Sequence, residues 1–104
     1  MTYIQPSDVI SPKAKWTLVD VVLDKGSGNC AYAIGMWDKQ RRVGFRWNGT
    51  KDNPIGNPQS RGLATWTMLD KALHQAVLHQ VERKNPEKAG IMRAFLGKPV
   101  EDAD

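Results

Sequence analysis

Three segments in the first half of the chain are mainly hydrophobic, with β-branched and aromatic residues, and are separated by short turn-like or polar joints, a pattern typical of β-strands. The segments are WTLVDVVLD (16–24), CAYAIGMWD (30–38) and VGFRWN (43–48). A shorter segment, ATWTM (64–68), is rich in the same residue types. We therefore predict four strands, the first three of them connected in sequence as antiparallel neighbours.

The spacing of the apolar residues changes after Met68. From Leu69 to Val81 they recur at steps of three and four residues, which places them on one face of a helix. We expect this first helix over about residues 69–83.

A second helix is predicted from the pair Asn85-Pro86, which has the pattern of an N-cap followed by proline at the first helical position. It is expected to continue through about Leu96. The resulting order, ββββαα, predicts an α+β fold: a four-stranded antiparallel meander followed by two helices.

The length of 104 residues favours a single domain, 1–104, with an irregular lead-in over residues 1–14 and an acidic tail over residues 98–104. No apolar run approaches the ~18 residues of a membrane helix, and the N-terminus lacks the layout of a signal peptide. Because Cys30 is the only cysteine, no internal disulfide can form. These features predict a cytoplasmic protein that does not contact membranes.

The pairing of the strands decides which side chains share a face of the sheet. An even-length connection between the second and third strands brings two sets of large apolar residues together, whereas an odd one would bury arginines. A two-residue turn at Gly26-Ser27 pairs Trp16 with Trp37 and Val21 with Tyr32. The face expected to lie beneath the first helix then carries Val19, Val21, Leu23, Tyr32, Ile34, Met36, Val43, Phe45 and Trp47.

The opposite face combines aromatic, basic and small residues. Aromatic rings can stack on nucleic-acid bases, and arginines can neutralise phosphates. Arg42 and Arg46 are four residues apart on this face, roughly 13 Å at the usual strand rise, so together they could reach more than one phosphate. Packing under the second helix and a homodimer interface are the alternative interpretations. The larger residues of this face are Trp16, Leu18, Val22, Trp37, Arg42 and Arg46.

The segment 48–63 is rich in Gly, Pro and Asn and has no hydrophobic period. Long loops of this kind are often functional. Lys51 and Arg61 lie in it, and we predict that both contribute to the same anion-binding surface. The alternative is a solvated connector whose Asn-Pro pairs set turns.

The charge of the chain is compatible with a polyanionic partner. Fifteen Lys and Arg against eleven Asp and Glu give a net charge of +4, and three of the acids lie in the last four residues. Residues 1–100 therefore carry fifteen basic and eight acidic groups, a net charge of +7. A basic surface attracts nucleic acid and also acidic proteins.

No catalytic or metal-binding motif is present in the sequence, so we predict a protein that is not an enzyme and that needs no cofactor or metal. His74 and His79 are five residues apart, which is the wrong spacing for two ligands on one helical face. No GxSxG, HExxH or GxxxxGK[ST] motif occurs.

The strand-to-helix layout over about residues 16–83, with IGMWD, VGFRWNG and ATWTMLDKALHQAV, resembles small single-strand-binding proteins of the transcriptional-coactivator (positive cofactor four) and whirly type. The resemblance includes the Arg46-Trp47 pair and the threonine-flanked entry to the helix. It implies a homodimer that binds single strands through curved sheets.

We therefore predict a non-enzymatic protein that binds single-stranded DNA or RNA. The alternative is a small protein-binding module, of the kind found among phage- or plasmid-encoded inhibitors and antitoxins, that engages an acidic protein partner. The predicted binding residues are Trp16, Trp37, Arg42, Arg46, Lys51 and Arg61.

Overall fold

The computed structural model describes residues 3–97, and the predicted acidic tail lies outside them. Along the chain the strands are β1 (Trp16–Asp24), β2 (Cys30–Trp37), β3 (Gln40–Trp47), β4 (Gln59–Ser60), β5 (Leu63–Ala64) and β6 (Thr67–Met68). The helices are α1 (His74–Lys84) and α2 (Pro86–Gly97), with short 3-10 helices at Pro6–Asp8 and Lys71–Leu73.

An α+β fold is confirmed, with a four-stranded antiparallel sheet in the order β1-β2-β3-β6 and the two helices after it. The predicted fourth strand is divided: Ala64 belongs to β5, and only Thr67–Met68 joins the sheet as β6. The segment 48–63 is not wholly irregular, because β4 and β5 form a separate two-stranded sheet. Among the helices of residues 3–97, none has the length and apolar character that crossing a membrane requires.

The β2–β3 hairpin has the even-length connection that the sequence predicts. Its turn consists of Asp38 and Lys39, with φ values of 51° and 73°, the left-handed conformation of a type I′ turn. Tyr32 therefore pairs with Phe45, and the two large apolar sets lie on the same face.

The connection between β1 and β2 is longer than predicted. Five residues, Lys25–Asn29, lie between the strands, and the Lys25 amide donates to the Cys30 carbonyl. Two β-bulges in β1 take up the additional residues. Trp16 consequently still pairs with Trp37, but the predicted pairing of Val21 is wrong.

The bulges change which residues of β1 reach the helix-side core. Val22, expected on the opposite face, is fully buried beneath the helices, whereas Val21 packs on the opposite face. Val19 was expected in the core and is 50% exposed, and Trp47, at the end of β3, is 49% exposed. The helix-side core consists of Val22, Leu23, Ile34, Val43, Val77, Leu78, Val81, Ala89 and Met92.

Both helices pack over this face. Asn85 caps α2 as predicted, since its side-chain oxygen accepts a hydrogen bond from the Lys88 amide at 3.5 Å. The apolar stripe of α1 is rotated from the predicted one: Leu73 and Ala76 are exposed, and Leu78 is buried instead.

The opposite face is covered by irregular segments of the same chain, not by α2. Trp66 packs against Trp16 with ring centroids 6.4 Å apart, and its Nε1–H donates to the Val9 carbonyl at 2.6 Å. Ile4 and Val9 of the N-terminal segment complete this second cluster. A homodimer interface was one interpretation of this face, and the segments that cover it remove that reason. The homodimer that the resemblance implies stays a prediction.

Two glycines let Trp16 lie flat against the strands. A Cβ at Gly35 would lie 2.4 Å from the Trp16 ring and 2.5 Å from the Thr17 carbonyl oxygen, and one at Gly44 would lie 3.1 Å from Met68. Small residues on this face therefore provide space for an indole ring of the protein itself.

We expect Gly35→Ala to lower the free energy of unfolding by about 1–3 kcal/mol or more, because the new methyl group overlaps Trp16 and backbone. Gly90→Ala is the matched control: Gly90 lies in α2 with no atom within 4 Å of the added Cβ. This change should raise stability by about 0.5–1 kcal/mol through helix propensity. Urea unfolding measures the free energy of unfolding of both variants and the parent. A Gly35→Ala protein as stable as the parent would contradict the packing described.

Candidate nucleic-acid interface

Four cations lie around the end of the sheet at the β2–β3 turn. Lys15 is held there because its carbonyl accepts the Asp38 amide at 2.9 Å. Lys39 forms the turn, and Arg41 and Arg42 follow it on opposite faces of β3. Asp38 is the acidic residue of this turn. We refer to Lys15, Trp37, Lys39, Arg41 and Arg42 as the basic hairpin end.

Two of the predicted binding residues, Trp37 and Arg42, lie in the basic hairpin end. Trp37 is half-buried, with one side against the second cluster, so part of its ring remains accessible. Arg42 is also half-buried and donates from Nη2 to the Gln40 side chain at 2.7 Å. This hydrogen bond holds the guanidinium group at the hairpin end, and because Nε is buried, only N–H groups of the two Nη atoms are left for other acceptors.

The His74 ring lies in the positive environment of Arg42 and Lys71. Burial, the Arg42 guanidinium and Lys71 lower the pKa of His74, and a backbone hydrogen bond at Leu69 and the Asp70 carboxylate oppose this only in part. Its Nε2 is buried without a hydrogen-bond partner. A proton at Nε2 would therefore be buried close to two cations, which favours the neutral ring.

Arg46 does not contribute to an exposed surface. Its side chain is completely buried, with Nη1 donating to the Thr65 carbonyl at 2.6 Å and Nη2 donating to the Ile55 carbonyl. Burial lowers the pKa of the Arg46 guanidinium. The prediction that Arg46 faces a ligand is wrong, because the loop and the segment before Trp66 close over it.

Trp16 is also removed from the predicted surface. It is 2% exposed beneath Trp66, so neither face of its indole ring is available to a base. Its strand position was predicted correctly, but the segments that cover it come from distant parts of the sequence.

Lys51 and Arg61 are both exposed, and the loop of Lys51 lies apart from the basic hairpin end. The loop that carries Lys51 is attached to the opposite end of the sheet, where the Gly28 amide donates to the Gly49 carbonyl at 2.9 Å. On β2, Arg42 pairs with Gly35. The six residues 30–35 of β2 therefore separate Gly28 from the position opposite Arg42, about 20 Å at the usual rise. Arg61 forms the turn of the β4–β5 hairpin, with a φ of 53°.

Three residues of the basic hairpin end were missing from the predicted set: Lys15, Lys39 and Arg41. The sequence does carry a signal for them. A two-residue turn at Asp38-Lys39 places the flanking residues side by side, and the predicted Trp16–Trp37 pair places Lys15 beside that turn.

No three His, Cys, Asp or Glu side chains in residues 3–97 are grouped as metal ligands would be. Cys30 is buried, as a small core residue would be. Comparison with protein-family models, with curated protein sequences and with solved structures gives no match to this chain. The resemblance to the single-strand-binding coactivators therefore stays a prediction.

Arg46→Ala should destabilise the protein strongly, because two buried carbonyl groups lose a charged donor worth about 1.5–3 kcal/mol each. We expect a loss of at least about 3 kcal/mol in unfolding free energy. Arg83→Ala, at an exposed position of α1, should stay within about 0.5 kcal/mol of the parent. An Arg46→Ala protein of parental stability that binds nucleic acid poorly would instead favour the original surface assignment.

The environment of His74 also predicts a dependence of stability on pH. Because the folded state lowers the pKa of this ring, the unfolded state binds the proton more readily. The stabilisation is complete above the unfolded value of about 6.5 and is lost as the pH falls below it. An NMR titration of the His74 ring should give a midpoint below about 6.5. A midpoint at or above that value would contradict the described burial.

Proposed function

We propose that this protein is not an enzyme, that it binds single-stranded nucleic acid, and that the basic hairpin end contacts the phosphate groups. The observation that supports this most directly is the concentration of four cations, Lys15, Lys39, Arg41 and Arg42, around one turn that carries a single acid. Each neutralised phosphate releases counterions, so such a cluster produces affinity that falls steeply with salt.

The positions of Arg42 and Trp37 favour nucleic acid because they combine two kinds of contact. Arg42 can bind phosphate oxygens through its free N–H groups, and the accessible part of Trp37 offers an apolar surface to a sugar or base. The cations of the described residues also exceed the acids, fourteen against eight, so long-range attraction to a polyanion is favoured.

The alternative, an acidic protein partner, would use the same cations. It differs in its contacts, because an acidic protein surface offers separated carboxylates rather than a continuous chain of phosphates. Retention of one partner protein without affinity for oligonucleotides would favour this alternative.

The test is fluorescence anisotropy with labelled single strands of about 16 nucleotides, starting at about 50 mM salt, where phosphate contacts are strongest. We expect Arg42→Gln to weaken binding to all sequences alike and to reduce the slope of log affinity against log salt by about 0.7, the value for one phosphate on a single strand.

Lys51→Gln makes the same change in net charge on the loop attached to the opposite end of the sheet. If the basic hairpin end is the contact surface, this variant should retain the parental salt slope. Equal losses in both variants would show that binding follows net charge rather than this site. No binding by the parent at about 50 mM salt would rule out the nucleic-acid proposal.

A further inference from the structure

An open groove runs along the helix-side face of the sheet, between α1 and the neighbouring strands. Its volume is about 250 Å³, and it is lined by Leu73 of the short 3-10 helix and by Ala76 and Gln80 of α1. Tyr32 and Phe45 form the floor. The volume is below the ~300–1,000 Å³ typical of sites for drug-sized ligands, so the groove suits a single flat ring system rather than a large molecule.

The floor of the groove continues into a row of three aromatic rings. Tyr32 and Phe45 lie with centroids 5.6 Å apart, and Trp47 meets Phe45 edge-on at 5.4 Å. Trp47 is the outermost ring and is 49% exposed, although its size and apolar character favour burial. A half-exposed tryptophan supported by further rings is a stacking surface that the fold itself does not use.

Gln80 adds a specific polar group to this apolar groove. Its Oε1 is buried and accepts no hydrogen bond, while its side chain lies within hydrogen-bonding reach of the Tyr32 hydroxyl. A buried acceptor without a donor is costly, and a ligand that carries an N–H group would satisfy it. A purely apolar ligand would fill the groove but leave this oxygen unsatisfied.

Cations lie at both ends of the groove. Lys71 precedes Leu73 at one end, and Arg83 and Lys84 follow Gln80 by three and four residues, on the same side of α1. The acid of α1, Glu82, points towards α2, where it pairs with Arg93 at 2.7 Å. Because Asp70 adjoins Lys71, the groove is apolar in its middle and positively charged only at the Arg83–Lys84 end, which complements a base attached to a charged backbone.

We propose that this groove binds an unpaired nucleobase, which stacks on Trp47 and donates a hydrogen bond from its Watson–Crick edge to Gln80 Oε1. This inference rests on the proposed function, and it explains why the protein would bind single strands in preference to a duplex. In a duplex the Watson–Crick edge is already paired and the ring is stacked, so the base cannot enter the groove. A phosphate beside the bound base would lie towards Lys84.

The first test compares Trp47→Ala, Trp47→Phe and the parent in binding single-stranded oligonucleotides. Loss of one stacked base corresponds to about 1–3 kcal/mol, a weakening of about five- to 150-fold. Trp47→Phe should retain most of the affinity. The salt slope should be unchanged in both variants, because no phosphate contact is lost. Val19→Ala is the matched control, since Val19 is equally exposed, at 50%, on the distant strand β1.

Gln80→Leu tests the hydrogen bond separately from the stacking, because leucine is similar in size to glutamine but has no hydrogen-bonding group. It should weaken single-strand binding while leaving binding to a duplex of the same sequence unchanged. Trp47→Ala should likewise leave duplex binding unchanged. Circular dichroism of each variant checks that the fold is retained.

The outcomes separate this inference from the proposed function. If Trp47→Ala and Gln80→Leu bind like the parent while Arg42→Gln is weakened, the groove does not bind bases and the phosphate-binding function stands. If the Trp47 and Gln80 variants are weakened but Arg42→Gln is not, the groove is the site and the basic hairpin end is not. If the parent binds no oligonucleotide, both proposals are overturned.

Discussion

A charged group inside a protein must be surrounded by hydrogen-bond partners, and the buried guanidinium of Arg46 places this requirement at the centre of the fold. Within residues 3–97 no carboxylate forms an ion pair with Arg46; its partners are the carbonyls of Ile55 and Thr65. Ile55 precedes β4 and Thr65 follows β5. The chain segments on both sides of the β4–β5 sheet therefore contact Arg46 of β3. Arg46 and the backbone pair formed by Trp47 and Asn57 together fix the course of the chain between β3 and β6.

The same course closes the second face of the sheet. Thr65 accepts from Arg46, and the next residue, Trp66, lies over Trp16 and hydrogen-bonds the Val9 carbonyl. The N-terminal segment is thus held against the sheet by a residue more than fifty positions away. Gly35 makes room for Trp16 beneath this cover. These contacts follow one another along the second face of the sheet. Together they bury the aromatic and basic residues of that face.

The sequence predicted those features that depend on local or nearest-neighbour patterns. The α+β class, the register of β2 with β3 and the Asn85 cap all follow from alternation, turn length and capping chemistry. The bulges of β1 were not predictable, because they compensate for the length of the connection to β2. For the candidate site, alternation placed Arg42 and Arg46 on one face correctly. It could not show that distant segments cover Arg46 and leave Arg42 at the surface, since burial depends on the tertiary course of the chain.

Closure of the second face leaves the unoccupied surface where α1 meets the sheet. α1 begins beside β6, passes Tyr32 and Phe45 in its middle, and ends near Leu23 of β1. A helix on this diagonal covers Ile34 but leaves the outer ring of the aromatic row, Trp47, without a neighbour above it. The basic hairpin end and this row lie at different levels of the same two strands, β2 and β3. In the proposed function, the cations near the turn would neutralise phosphates, and the apolar row further along the strands would support a stacked base.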